Sequence, residues 1–381
     1  MTVYLDNSAT TRPSEGVIAA VTASLSEGYF NPSSMYAPAF TVEKQLTACR
    51  DKIRKALSAP DARVIFTSGG TESNNLAITG TLCVSRPPYR VAVSGAEHPS
   101  VYDTAFLTEK SGAEVVSLPL DPDGRVNLDA VAEELKKGLT LLSVMQVNNE
   151  TGAKNDIPAI WKLKETLCPA CRMHVDGVQG FLREDMSLKY CDLYTLSSHK
   201  IHGPKGVGAL VVKKGLRLAP SHTGGGQEDA LRSGTENTPG IAGLSEAITE
   251  MLALPGRRDK LMALKLRLVN SIRENIPEAV VNGPAPEEGA CHILSVSFPP
   301  VRGETMLHAL EEKGVYVSTG SACSAKKKNA SRVLTNMGLP AARTESVIRM
   351  SLNPYMTEEE IDYAVSAVTD CYNTLKKYTR R

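Results

Sequence analysis

RVIFTSGGTESNNLAITGTLCV, residues 63–84, sets the fold reading of this chain. A β-branched apolar run, Arg63–Thr67, meets a glycine pair, Gly69 and Gly70, and then Thr71 and Ser73 open a helical stretch. This is a strand, a tight turn and a capped helix. Backbone N–H groups at such a helix start attract anions, and glycines let a ligand approach them. The lysine of a Walker loop is missing, so the turn is not a nucleoside-triphosphate loop.

Working outward, the same alternation repeats. Strands are expected at Arg63–Thr67, Arg90–Ser94, Glu114–Pro119, Leu139–Val147, Arg172–Asp176, Asp192–Leu196 and Gly208–Lys213. Helices are expected between them at Glu72–Val84, Ser100–Ser111, Asp129–Lys137 and Asp156–Leu167. Strands alternating with helices in this way predict an α/β fold with a mainly parallel seven-stranded sheet flanked by helices. Right-handed crossovers then bring the strand C-termini to one edge, where ligands bind.

The pattern changes after Pro255. A helix at Arg257–Asn275, a Pro/Gly-rich segment at Pro277–Gly289, a strand at His292–Phe298, a helix at Glu304–Lys313 and a strand at Val315–Ser318 read as a smaller α+β domain. A final helix near Thr357–Lys376 carries Ile361, Val365, Val368, Tyr372 and Leu375 on one stripe. Residues 14–255 are expected to form the large domain, and residues 1–13 with 256–381 the small one.

Bulk properties exclude several classes. The 381 residues suffice for more than one core. A formal net charge of +1 gives no field that would gather nucleic acid or an anionic membrane. No apolar run approaches the ~18 residues of a membrane span. The N-terminal MTVYLDNSATTRP lacks a basic, then apolar, leader, so a cytoplasmic protein is expected. Eight cysteines in a chain of this length are not a disulfide scaffold, and Cys168 with Cys171 has no second matching pair for a metal.

Five further segments fall at predicted strand ends or in loops. EHPSV (Glu97–Val101) places His98 just after a strand, where a lone histidine is more often structural than catalytic. VNNETG (Val147–Gly152) places Asn148 and Asn149, suited to a carboxylate, a ring oxygen or an ordinary turn. HVDGVQ (His174–Gln179) places Asp176 at the end of an apolar strand, where a carboxylate needs a cationic or N–H partner. A protonated pyridine nitrogen is one such partner. SSHKIHGPKG (Ser197–Gly206) places Lys200 among two hydroxyls and two imidazoles. Desolvation and neighbouring cations lower an amine's pKa and favour a Schiff base with a carbonyl; the competing reading is a strand-end charge. TGSACSAKKKN (Thr319–Asn329) places Cys323 in a small-residue run before three lysines, which favour thiolate.

Together these segments resemble the cysteine desulfurases, pyridoxal-phosphate enzymes of the class V aminotransferase, fold type I group. The resemblance runs from YLDNSATT (Tyr4–Thr11) to VIRMSLN (Val347–Asn353). The spacing from Cys323 to Val333 and Leu334 resembles the long-loop group, which includes the nitrogenase-associated and iron–sulfur housekeeping enzymes. It implies pyridoxal 5'-phosphate (PLP) as cofactor, covalently held by Lys200, with Asp176 on the pyridinium nitrogen, Gln179 on the phenolic oxygen and His98 stacked on the ring and moving protons. It implies Gly70, Thr71, Ser197 and His199 around the phosphate, and Thr235 reaching the phosphate of the other subunit in a homodimer. Asn149 and Arg349 would clamp the carboxylate of L-cysteine, and Cys323 would take the sulfur as a persulfide. The acceptor would be an iron–sulfur scaffold or a tRNA-thiolating enzyme, with no direct nucleic-acid or membrane contact.

Five positions depart from the family's usual residues: Gly177 for an alanine beside the ring, which implies looser packing there, Ser8 for alanine, and Lys326–Lys328 for polar-acidic residues. Competing readings are a selenocysteine lyase, an aminotransferase and, from another class, a scaffold docking acidic acceptors through Lys326–Lys328.

Overall fold

The computed structural model describes residues 1–319 and 331–378. Cys323 and Lys326–Lys328 lie outside the described residues.

The large sheet has seven strands: β1 (Arg63–Thr67), β2 (Arg90–Ser94), β3 (Glu114–Leu118), β4 (Leu141–Met145), β5 (Arg172–Asp176), β6 (Leu193–Ser197) and β7 (Gly208–Val212). Their spatial order is β1-β7-β6-β5-β4-β2-β3. Pairings from β6 across to β3 are parallel. β7 alone runs antiparallel to both its neighbours. All seven expected strands are present. β4, β6 and β7 are buried at every residue, as apolar strands covered on both faces must be. Ser94, Met145, Asp176 and Ser197 therefore end on the same edge, joined there by Thr67.

Helix α1 (Gly70–Val84) follows β1 directly, and its Leu76 and Ala77 pack with Ile65, Leu193 and Leu210. The turn before it is tight because two other glycines permit it. Gly69 adopts φ +154°, and a Cβ on Gly208 would lie 2.8 Å from the Gly69 backbone. Helix α2 (Pro99–Leu107) follows β2, with His98 as its N-cap and Pro99 at the first turn. The expected helix over Ser100–Ser111 divides here, and Thr108–Ser111 tightens into a 3-10 turn that ends at Gly112, φ +84°.

A second sheet has Ile293–Ser297 between Val280–Val281 and Val347–Ser351, all antiparallel. The N-terminal Val3–Tyr4 pairs in parallel with Val315–Tyr316, and Asp6 bridges Ser351. The strand expected over Val315–Ser318 is thus only two residues of ladder plus an isolated bridge from Ser318 to Arg349. Apolar side chains fall into two principal cores. One joins residues from Val17 to Met251; the other joins Val3 and Leu5 to Leu261 and onward to Tyr372. The last helix, Glu358–Leu375, starts with a capping box between Thr357 and Glu360 and buries Ile361, Val365, Val368 and Tyr372.

Candidate active site

The edge of the large sheet and the N-terminal segment meet around Lys200. This residue ends a one-turn helix, Ser198–Lys200, immediately after β6. Its Nζ donates to the carbonyls of Ser8 (2.6 Å) and Ala9 (2.8 Å). Thr11 fastens the two strands of chain together: its hydroxyl donates to the His199 carbonyl (2.9 Å) and accepts from the His202 N–H (2.7 Å). The Lys200 amine is pushed down to about 7, first by burial, then by the guanidinium groups of Arg349 and Arg183, against Asp6 and Asp176. Near neutral pH a large fraction of it is the free base, the form that attacks a carbonyl.

Two consequences follow from that lowered pKa. The unfolded lysine titrates near ~10.4, so this group opposes folding fully below about pH 7, and the cost disappears as pH rises toward ~10. In the cofactor-free protein, acylation of Lys200 by a small ester should rise with pH to a plateau with midpoint near 7. Peptide mass mapping across a pH series reads this, and a midpoint near ~10, as for a surface lysine, would contradict it.

Asp176 closes β5 and is 4% exposed. Its carboxylate accepts from Asn74 Nδ2 (2.9 Å) and from the Val178 N–H (3.0 Å). Among the described residues no cation pairs with it. A buried carboxylate so placed has room for a cationic partner, and a protonated ring nitrogen would fit that need. Gln179 donates through Nε2 to the Ser8 carbonyl (2.8 Å), the oxygen Lys200 also uses, and its Oε1 accepts from Arg183 (3.0 Å). Its amide is therefore oriented with the donor end toward Lys200.

Gly70 and Thr71 start α1, with Ser197 beside them: a Cβ on Gly70 would lie 3.7 Å from Ser197 Cβ. His199 hydrogen-bonds Thr10 through Nδ1 (3.1 Å) and is lowered to about 4 by burial, Lys200, Lys205 and Arg183, so it is neutral at pH 7. Thr235 is exposed, on a loop whose Arg232 pairs with Glu72 of α1 (2.8 Å). Arg349, 3% exposed, bonds the Asp6 carboxylate (2.6 Å) and the Asn149 carbonyl (3.0 Å). Asn149 thus meets Arg349 through its backbone. Asn148 is a turn residue, its Oδ1 accepting from the N–H groups of Glu150 and Thr151.

The Gly177 expectation is corrected. A Cβ there would lie 1.9 Å from Tyr194 Cζ on the neighbouring strand, so the space beside it is filled, not loose. Tyr194 is fully buried and its hydroxyl donates to Gln146 (2.7 Å). Glycine is required because tyrosine fills that space. The side chain facing the glycine turn is Val178, whose Cγ2 would lie 2.7 Å from a Cβ on Gly70. Gly177→Ala should lower the unfolding free energy by roughly 1–3 kcal/mol through overpacking. Adding Tyr194→Leu should recover part of it, and urea unfolding of the two variants reads both. An undiminished Gly177→Ala midpoint would be the contrary result. Ser8, the other departure, is tied by its hydroxyl to Ser351 (3.0 Å), while its carbonyl does the work described above.

Sequence reasoning missed Asn74, Ser100, Arg183 and Glu97. Arg183 is 4% exposed and donates to the carbonyl of Lys200 as well as to Gln179. Its position four residues after Gln179 was the available signal. Glu97 accepts from Ser94 Oγ (2.6 Å) and the Met145 N–H (2.6 Å), and is pushed up to about 8 by burial and by Asp176.

The donor set fits a phosphorylated pyridine aldehyde: an amine near neutrality, a buried carboxylate short of a cation, an oriented amide donor and a helix start flanked by hydroxyls. The aminotransferase class-V model matches residues 3–364, and this chain belongs to that family. It is 37% identical to the cysteine desulfurase IscS of Clostridium botulinum over 372 residues, 96% of this chain and 93% of the other. Among solved structures it is similar to a NifS-like protein (TM-score 0.89, 32% identity, covering 98% of this chain and 100% of the other). It is also similar to SspA in complex with cysteine (TM-score 0.80, 29% identity, 93% and 100%).

Proposed function

We propose that this chain is a PLP-dependent cysteine desulfurase, which converts L-cysteine to L-alanine and passes the sulfur through Cys323. The observation that carries the reading is the free-base-poised amine of Lys200 set between Gln179 and the N-terminal carbonyls. PLP, when bound, supplies an aldehyde that captures the substrate amine and a ring that takes up the electron pair released at Cα. Lys200 would hold the cofactor covalently, and its amine, free-base near neutral pH, would be placed to take a proton from the substrate Cα. Asp176 would hold the ring nitrogen positive, and Gly70, Thr71, Ser197 and His199 would hold the phosphate. Arg349 receives the substrate carboxylate, for which a guanidinium has a matching pair of donors.

The Cys323 thiolate takes the substrate sulfur: an S–S bond forms, the C–S bond breaks, and the carbon is protonated to alanine. The described residues on either side of the span that contains Cys323 lie beside the site. Ser318 bridges Arg349, and Ser331 donates to Glu150 (2.5 Å), which neighbours Asn149. SspA was solved with cysteine, which supports that amino acid as substrate.

The two cores support domains at 14–255 and at 1–13 with 256–381. Tyr29, Met35, Tyr36 and Phe40 are all more than half exposed, and Phe30 stacks on Tyr29 and packs edge-on to Tyr36. This apolar cluster suits a second copy of the chain, to whose phosphate Thr235 would reach. No helix among the described residues is long and apolar enough to cross a membrane. The acceptor is read as an iron–sulfur scaffold or a tRNA-thiolating enzyme, selected by Lys326–Lys328.

Incubation with L-cysteine and a reductant, without keto acid, should give alanine and sulfide in equal amounts. Cys323→Ser should bind PLP and cysteine normally and release almost no sulfide. Wild-type turnover that required a keto acid would favour an aminotransferase, and full sulfide release by Cys323→Ser would dismiss the persulfide.

A further inference from the structure

His98 is joined to Asp176 by a chain of hydrogen bonds that determines where its proton sits. The Asp176 carboxylate can only accept, so the atom of Asn74 that faces it at 2.9 Å is the amide nitrogen. That nitrogen has a second hydrogen, which goes to Ser100 Oγ at 2.9 Å. With a lone pair of Ser100 Oγ so engaged, its own hydrogen is free for its other neighbour, His98 Nδ1, at 2.8 Å. The backbone N–H of Ser100 points at the same Nδ1, 3.1 Å away, as the N-cap bond of α2. Two donors converge on Nδ1, so Nδ1 presents a lone pair and the neutral ring carries its proton on Nε2. No described residue bonds Nε2.

We propose that Asn74 is a positioning residue: through Ser100 it holds His98 as the neutral Nε2–H tautomer, so that His98 serves as a hydrogen-bond donor over the site and proton carriage falls to Lys200. A ring nitrogen already accepting two hydrogen bonds is a poor place to add a proton, and a neutral imidazole can polarise a partner through N–H without changing charge. The surroundings act in the same direction. Burial is the largest influence and opposes a charged ring, as do Lys200 and Arg332, whereas Asp176 and Asp103 favour one. Asn74 is itself 1% exposed and held by Ser100 and Asp176 at once, and so is placed to transmit the position of Asp176 to the histidine.

This deepens the reading of the site given above and rests on it for its role in catalysis. The tautomer is measured without turnover, so failure of the desulfurase assay and failure of this proposal are separate results. The full chain, loaded with PLP and labelled with 15N-histidine, is examined by long-range 1H–15N correlation at pH 7, with His98→Gln assigning the signal. The expected pattern is a neutral ring protonated at Nε2 alone. Ser100→Ala and Asn74→Leu, each checked for an unchanged fold by circular dichroism, should raise the Nδ1–H population roughly fivefold, the equivalent of one lost hydrogen bond. A charged or Nδ1–H ring in the wild type would overturn the proposal, as would variants that fold and keep the wild-type tautomer ratio. Should one variant fail to fold, the other and the wild-type pattern decide.

Discussion

Lys200→Ala is expected to yield a folded protein that holds PLP only by non-covalent contacts and has lost its lysine-linked absorbance. Desulfurase activity should fall by at least ~10²–10⁴-fold, the usual contribution of a positioned proton-transfer group. The fold should survive because the side chain contributes little to either core. It lies at a strand end, half-buried, and its two hydrogen bonds go to carbonyls of the N-terminal segment. Removing it deletes an amine whose burial is itself a cost below about pH 7. Thermal unfolding at pH 6 should therefore show no large loss, while absorbance and turnover both collapse. A variant with the parent's spectrum would place the covalent anchor elsewhere.

Asp176→Asn is the second large effect. It keeps the shape and one acceptor for Asn74 or the Val178 N–H, and removes the charge. Without the carboxylate, the ring nitrogen of a bound PLP would lose the partner that favours its protonation, and the cofactor's power to take up electrons from Cα would fall. Loss of a preorganised electrostatic partner of this kind costs on the order of 10²–10³-fold in kcat. PLP should still bind through Lys200 and the phosphate cradle. The check is single-turnover kinetics on cofactor-saturated protein: a slow Cα-proton step with near-normal cysteine affinity is predicted, and a kcat within a few-fold of the parent would contradict the assignment.

The large sheet was legible because its strands announce themselves. β1, β2 and β5 have the bounds expected, since β-branched runs there end abruptly at Gly, Ser or Asp. Helices Glu15–Ser26 and Ala37–Ala56 were not anticipated, because their exposed faces carry Ile18, Leu25 and Phe40 as well as polar residues and so blur the helical period. The strand Val347–Ser351 was read only as a motif. Nothing local reveals that it lies beside Ile293–Ser297, more than fifty residues earlier.

Site residues that end strands or follow glycines were visible one at a time. The residues missed act through partners distant in sequence. Asn74 is explained only when Asp176 and Ser100 are seen beside it, and Arg183 only when the carbonyl of Lys200 is. Gly177 illustrates the same limit: its cause is Tyr194, one strand over.

On the proposed reading, the side-chain amine of Lys200 is the covalent attachment point for PLP. Borohydride reduction of the yellow holoprotein, followed by proteolysis and peptide mass spectrometry, measures this directly. A single reduced pyridoxyl-phosphate adduct is expected on the peptide spanning SSHKIHGPK, localised to Lys200. An adduct on any other lysine, or none after reduction of fully loaded protein, would contradict it.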